Sequence, residues 1–148
     1  MSWISISEEH LAERLSAPEI NAAKTVALGG GDPIPEVLAA VVAEVRGRVA
    51  AHPRNRLGAE GTIPEELRAA ALAIARWRVL SRLPGIRMLQ DDARRLEYTD
   101  ALALLSAVAR GDFAIEQPEE SIDADVGVAA DPSVGEARQE FERGQTLI

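Results

Sequence analysis

The chain has 148 residues, 24 of them acidic and 16 basic, with a formal net charge of −8 and no cysteine. That length allows one domain with a real core and a tail, and the missing thiol excludes disulfides, thiolate zinc sites and a cysteine nucleophile. No run approaches the roughly 18 uncharged apolar residues of a membrane span, and Met1–Ser5 lacks the basic and apolar regions of an export signal, so a soluble, cytosolically made protein with no membrane partner is expected.

Ser7 before Glu8 and Glu9 predicts a short first helix to Leu15, with acids at the positive end of its dipole. Ser16-Ala17-Pro18-Glu19 reads as a capping box that starts a second helix running to about Leu28, and Gly29-Gly30-Gly31-Asp32-Pro33 stops it. The third helix, Pro35 to about Ala51, is the clearest periodic segment, with Val37, Leu38, Val41, Val42, Val45 and Val49 in one apolar stripe. Another side carries Ala39, Ala40, Ala43, Gly47 and Ala50. These small residues reflect either helix propensity alone or a face that a second helix approaches closely.

His52-Pro53 ends that helix and residues 54–61 form a loop. Thr62 and Glu65 read as a second capping box, opening a fourth helix in which Arg68 is the one polar residue between Leu67 and Ala75. A helix apolar on nearly every side must be surrounded, and in so small a chain this points to other subunits. After Leu83-Pro84-Gly85, a fifth helix is expected from about Leu89 to Arg110. Its buried stripe would be Ala93, Leu96, Leu104, Leu105 and Val108, Asp91 would pair with Arg94 and Arg95, and Gly111 would supply a left-handed stop. No strand is convincing; Asp123–Ala130 is the one candidate.

From Glu116 onward nine acids face two arginines, net −7, and two prolines interrupt the segment. A domain of residues 1–115 followed by an acidic, mostly extended tail of residues 116–148 is therefore expected, the tail ordered chiefly by a partner. Between Arg46 and Arg95, eleven arginines meet five acids. The chain has a basic middle and an acidic end.

The residues assemble no catalytic signature. His10 and His52 lack a second ligand at helical spacing, the triglycine lacks the Gly-Lys-Ser/Thr that follows in a phosphate loop, and no Gly-x-Ser-x-Gly elbow occurs. An enzyme is not expected, nor any cofactor or metal. Arg46, Arg48, Arg54, Arg56, Arg76 and Arg78 remain. They are ordinary helix-end and surface charge, a DNA-binding face, or a protein contact. The region has no interleaved aromatics, and its helices are joined by too long a loop for a helix-turn-helix, so protein contact is preferred. Candidate interface residues are these arginines with Trp77, Ala40, Ala43 and Gly47, and in the tail Glu119, Glu120, Val126, Val128 and Phe141.

Three segments taken together, Val41–Leu57 (VVAEVRGRVAAHPRNRL), Ile63–Leu80 (IPEELRAAALAIARWRVL) and Tyr98–Gly111 (YTDALALLSAVARG), followed by Phe113-Ala114-Ile115, resemble the small helical head-tail connector (adaptor) proteins of tailed phages, most nearly the Mu-like version of many prophages. The resemblance spans about Ile4 to Pro118 and leaves the acidic tail outside. Relatives often place a tyrosine and a proline after the third helix, where this chain has Arg54-Asn55-Arg56-Leu57. The resemblance implies an all-α fold of about five helices. It also implies a non-catalytic virion protein at the head-tail interface: a ring of about a dozen copies between the portal protein and the neck, stopper or tail-completion protein, lining the passage of DNA. A terminal segment would grip the portal. The alternative reading of the arginines is a small DNA-binding regulator.

Overall fold

In a computed structural model, residues 2–26, 31–83 and 91–119 are described. The described architecture is all-α, apart from one two-stranded ladder. Strand β1 (Trp3–Ile4) precedes helices α1 (Glu8–Ala12), α2 (Ala17–Val26) and α3 (Pro33–Ala51); strand β2 (Ile63–Pro64) then leads through a 3-10 turn at Glu65–Leu67 into α4 (Arg68–Ser81), and α5 (Asp92–Arg110) follows. The compact helical body ends at Pro118. The last candidate strand, Asp123–Ala130, and the interface candidates Glu120, Val126, Val128 and Phe141 lie outside the described residues.

Local chemistry sets the helix ends. The Ser16 amide donates to Glu19 Oε2 at 2.9 Å and the Glu19 amide to Ser16 Oγ at 3.4 Å, which is the predicted capping box. Helix α3 starts two residues earlier than expected. Asp32 accepts the Ile34 amide at 3.0 Å and Pro33 takes the first helical position, where its missing N–H costs nothing, so this Asp-Pro pair starts the helix. Gly111, at φ +84°, closes α5 in the left-handed region, as predicted.

Helix α4 overturns the expectation drawn from its composition. Ala70 through Arg76 are all buried, as are Val79 and Leu80, within this one chain. The helix is the axis of the body, with α3 and α5 packed along it and α1 and α2 closing the remaining side. Its apolar circumference needs no neighbouring subunit.

Three smaller expectations also fail. Thr62 does not cap α4: its hydroxyl donates back to the Ala59 carbonyl at 2.5 Å, and Ile63-Pro64 pairs antiparallel with Trp3-Ile4 before the helix begins. Two-residue strands are too short to show an alternating pattern. Ala93 and Leu96 face solvent instead of the core, Leu96 at 61% exposure, because the first turns of α5 extend past the apolar cover; the buried stripe is Ala101, Leu105 and Val108, with Leu104 half-buried beside it. Asp91 caps α5 by accepting the Arg94 amide at 2.8 Å, which leaves the Arg94 guanidinium for Glu19.

A candidate interaction surface

The arginine-rich middle of the chain separates into spent and available charges. Arg46, on α3, donates to three loop carbonyls: Ala59 at 2.9 Å, Thr62 at 2.6 Å and Gly58 at 3.2 Å. Its guanidinium also lies 5.8 Å from the centre of the Trp3 ring. Gly58 lies close against that ring, where an added Cβ would come within 2.7 Å of it. One side chain thus joins α3, the 58–62 loop and β1.

Trp3 extends the network to the C-terminal side. Its indole N–H donates to the Glu116 carbonyl at 3.1 Å, and the Glu116 amide donates to Glu66 Oε1 at 2.8 Å. Gln117 accepts the Arg56 amide at 2.8 Å and donates to Asn55 Oδ1 at 3.0 Å, while Arg56 reaches the Pro118 carbonyl at 3.4 Å. With Ile115 buried and Phe113 packed against the core, residues 113–118 form a strap on the helical body. Glu116 and Gln117 are structural parts of that body.

Other arginines are matched by carboxylates from distant elements. Arg76, itself buried, pairs with Glu97, and Arg78 with Glu44 at 2.6 Å. Burial disfavours the charge of Arg78, but Glu44 and then Tyr98 outweigh it and hold the guanidinium above its ordinary pKa. Between the two, Trp77 stacks on Tyr98 with ring centres 5.4 Å apart and planes at 17°. Arg94 reaches the buried Glu19 at 2.8 Å. Burial pushes the Glu19 carboxyl upward, and Arg94 with the Ser16 amide more than offsets it, so its pKa lies below the usual 4.5. Arg68–Glu13 at 3.0 Å and Arg82–Glu36 at 3.5 Å complete a scheme in which the local excess of arginine is largely neutralised by acids folded against it.

What stays exposed is a smaller set. Arg48 at the end of α3, Arg54 in the loop after it and Arg95 on α5 are exposed, and so is Glu119 just beyond the strap. Ala40, Ala43 and Gly47 face solvent on α3, with no atom within 4 Å of where a Cβ on Gly47 would sit. Beside them, α3 and the residues before α1 enclose an open groove of about 690 Å³ with Ile6, Pro35, Leu38, Ala39 and Val42 among its walls. Among the described residues no cluster of His, Asp or Glu could hold a metal, and no helix is long and apolar enough to cross a membrane.

A family model described as Bacteriophage Mu, Gp36 matches residues 6–130. The chain belongs to this family. It is a Mu-like phage protein, and the match takes in every described helix, the strap and the first residues of the acidic segment. The resemblance therefore runs past Pro118, where the sequence reading ended it, and residues 119–130 are family material too. Searches of curated proteins and of solved structures found no match. In this member of the Mu Gp36 family, Trp3, Glu19, Glu44, Glu97 and Gln117 are partners that sequence reasoning missed. Each lies on a different element from the group it binds, so no local spacing signals it.

Proposed function

We propose that this Mu Gp36-family chain is a structural component of the virion, a connector that assembles as a ring between the portal and the neck or tail and lines the DNA passage. Family membership over residues 6–130 carries the reading. The charge layout supports it. A protein that lets DNA pass should hold few phosphates, since each arginine–phosphate contact adds affinity and salt-dependent drag. Here Arg46, Arg68, Arg76, Arg78, Arg82 and Arg94 are engaged by groups of their own chain, and the net charge is −8.

The same engagement weakens the rival reading of a DNA-binding regulator, whose basic helices would need those guanidinium groups free. The available charges, Arg48, Arg54 and Arg95 with the acidic segment after Pro118, suit protein partners instead. The test is co-assembly. The full-length chain mixed with the portal of the same phage should give portal-bound rings in electron micrographs, and a chain that ignores the portal and stays monomeric defeats the proposal. A gel shift at low salt decides the rival: strong, salt-sensitive duplex binding would favour it.

A further inference from the structure

The groove on α3 and an apolar knob elsewhere on the surface fit each other across two copies of the chain. Leu96, 61% exposed on the outer face of α5, is the more exposed of the two large apolar side chains that face solvent among the described residues. Taking such a side chain out of water favours association, and helices approach most closely where the contact residues are small. The groove offers those conditions. Leu38, Val42 and Ile6 supply apolar walls, and Ala39 and Ala43 keep the α3 surface low.

Charge selects the occupant. Glu60 lies on the groove rim and its carboxylate has no partner among the described residues, whereas Glu8 on the same rim is paired with Lys24 at 2.5 Å. Arg46 also lines it, but its donors are directed at the 58–62 loop. A strongly acidic peptide is opposed there, whereas an apolar residue flanked by a cation is favoured. Arg95, adjacent to Leu96, is exposed, and its side chain likewise has no partner among the described residues.

We propose that the α3 groove of one copy receives the outer face of α5 from a second copy, with Leu96 seated among Leu38, Ala39 and Val42 and Arg95 meeting Glu60. Groove and knob share no residue, so the contact can run head to tail; in a ring it does so, and each copy then keeps one of each for the next. The inference rests on the ring reading above and names the surface that would build the ring.

The chain has no cysteine, so single cysteines report unambiguously. Full-length Ala39→Cys chains mixed with Leu96→Cys chains and a short bismaleimide should give a covalent pair that neither variant gives alone. The doubly substituted chain should give a ladder of linked copies. Glu60→Arg or Arg95→Glu alone should weaken self-association about tenfold, and the two together should restore it, since reversing one charge leaves like charges opposed. Leu96→Glu, at an exposed site that leaves the fold intact by circular dichroism, should abolish it. Rings on the portal with no crosslink and no response to Leu96→Glu would overturn this contact and leave the ring reading standing. Links between Ala39→Cys chains alone would overturn the head-to-tail geometry. No self-association with or without portal would remove both.

Discussion

Arg46 and Arg48 look alike in the sequence, two residues apart on one helix, and the structure assigns them opposite roles. Replacing Arg46 by Met keeps the aliphatic stem and removes the donors to Gly58, Ala59 and Thr62. A hydrogen bond from a charged donor is worth about 1.5–3 kcal/mol, but this side chain is half exposed and its carbonyls can turn to water. We therefore discount to about 1 kcal/mol per bond, or about 3 kcal/mol in all. Unfolding entropy near 2.1 cal/mol/K per residue, over a body of about 118 residues, converts this into a fall in Tm of roughly 12 °C. Arg46→Lys retains the charge and one or two donors and should lose about half as much. Arg48→Met, with its side chain in solvent, should stay within about 0.5 kcal/mol of the parent. Thermal unfolding by circular dichroism measures all three, and Trp3 emission in a Trp77→Phe background reports the loop directly. Equal melting of Arg46→Met and Arg48→Met would refute the node.

Gly111→Ala places a Cβ at φ +84° and 2.3 Å from His52 Nε2, so it should cost about 1–2 kcal/mol in chemical denaturation, and adding His52→Ala should recover the steric share. Glu19→Gln should destabilise at neutral pH. Because the folded carboxyl titrates below 4.5, its contribution is complete above the unfolded value and lost as pH falls through the folded one, so the gap between variant and parent should close on acidification below about 4.5 in a Tm series; a constant gap down to pH 3 would contradict the assignment. Ending the chain after Pro118 should leave the melt of the helical body unchanged while portal docking weakens. Ending it after Asp112 should lower stability by at least the roughly 1.5–3 kcal/mol of burying Ile115, and an equal melt for the two truncations would show that the strap contributes nothing.

Much of the fold was legible where the signal is local. The stripe of Val37, Leu38, Val41, Val45 and Val49 is buried as its spacing requires, and the Ser16–Glu19 box and the Gly111 stop act as read. Contacts formed between elements distant in the chain were not legible. Trp3-Ile4 pairs with Ile63-Pro64 some sixty residues away, and two residues carry no period. Arg46 finds carbonyls 12 to 16 residues later, which no helical spacing encodes. The stripe of α5 was misjudged at Ala93 and Leu96 because periodicity shows which residues share a face, and only the neighbours decide how far along the helix that face is covered.

Helix α4 has the largest consequence for assembly. Its apolar circumference suggested a chain incomplete without neighbours, yet α1, α2, α3 and α5 enclose it, and the buried Arg76 is met by Glu97 of the same chain. The body is thus complete as one copy. Copies that join a ring would do so as folded bodies, through surfaces already exposed, and not by folding together. Contacts between bodies that fold alone are generally smaller and more polar than obligate ones, so a ring made of them should be weak in free solution and gain most from a template that raises the local concentration of copies. A chain of this construction would stay dispersed until a portal presents a circle of sites. That makes portal-dependence of assembly, more than its strength, the property in which a connector and an obligate oligomer differ.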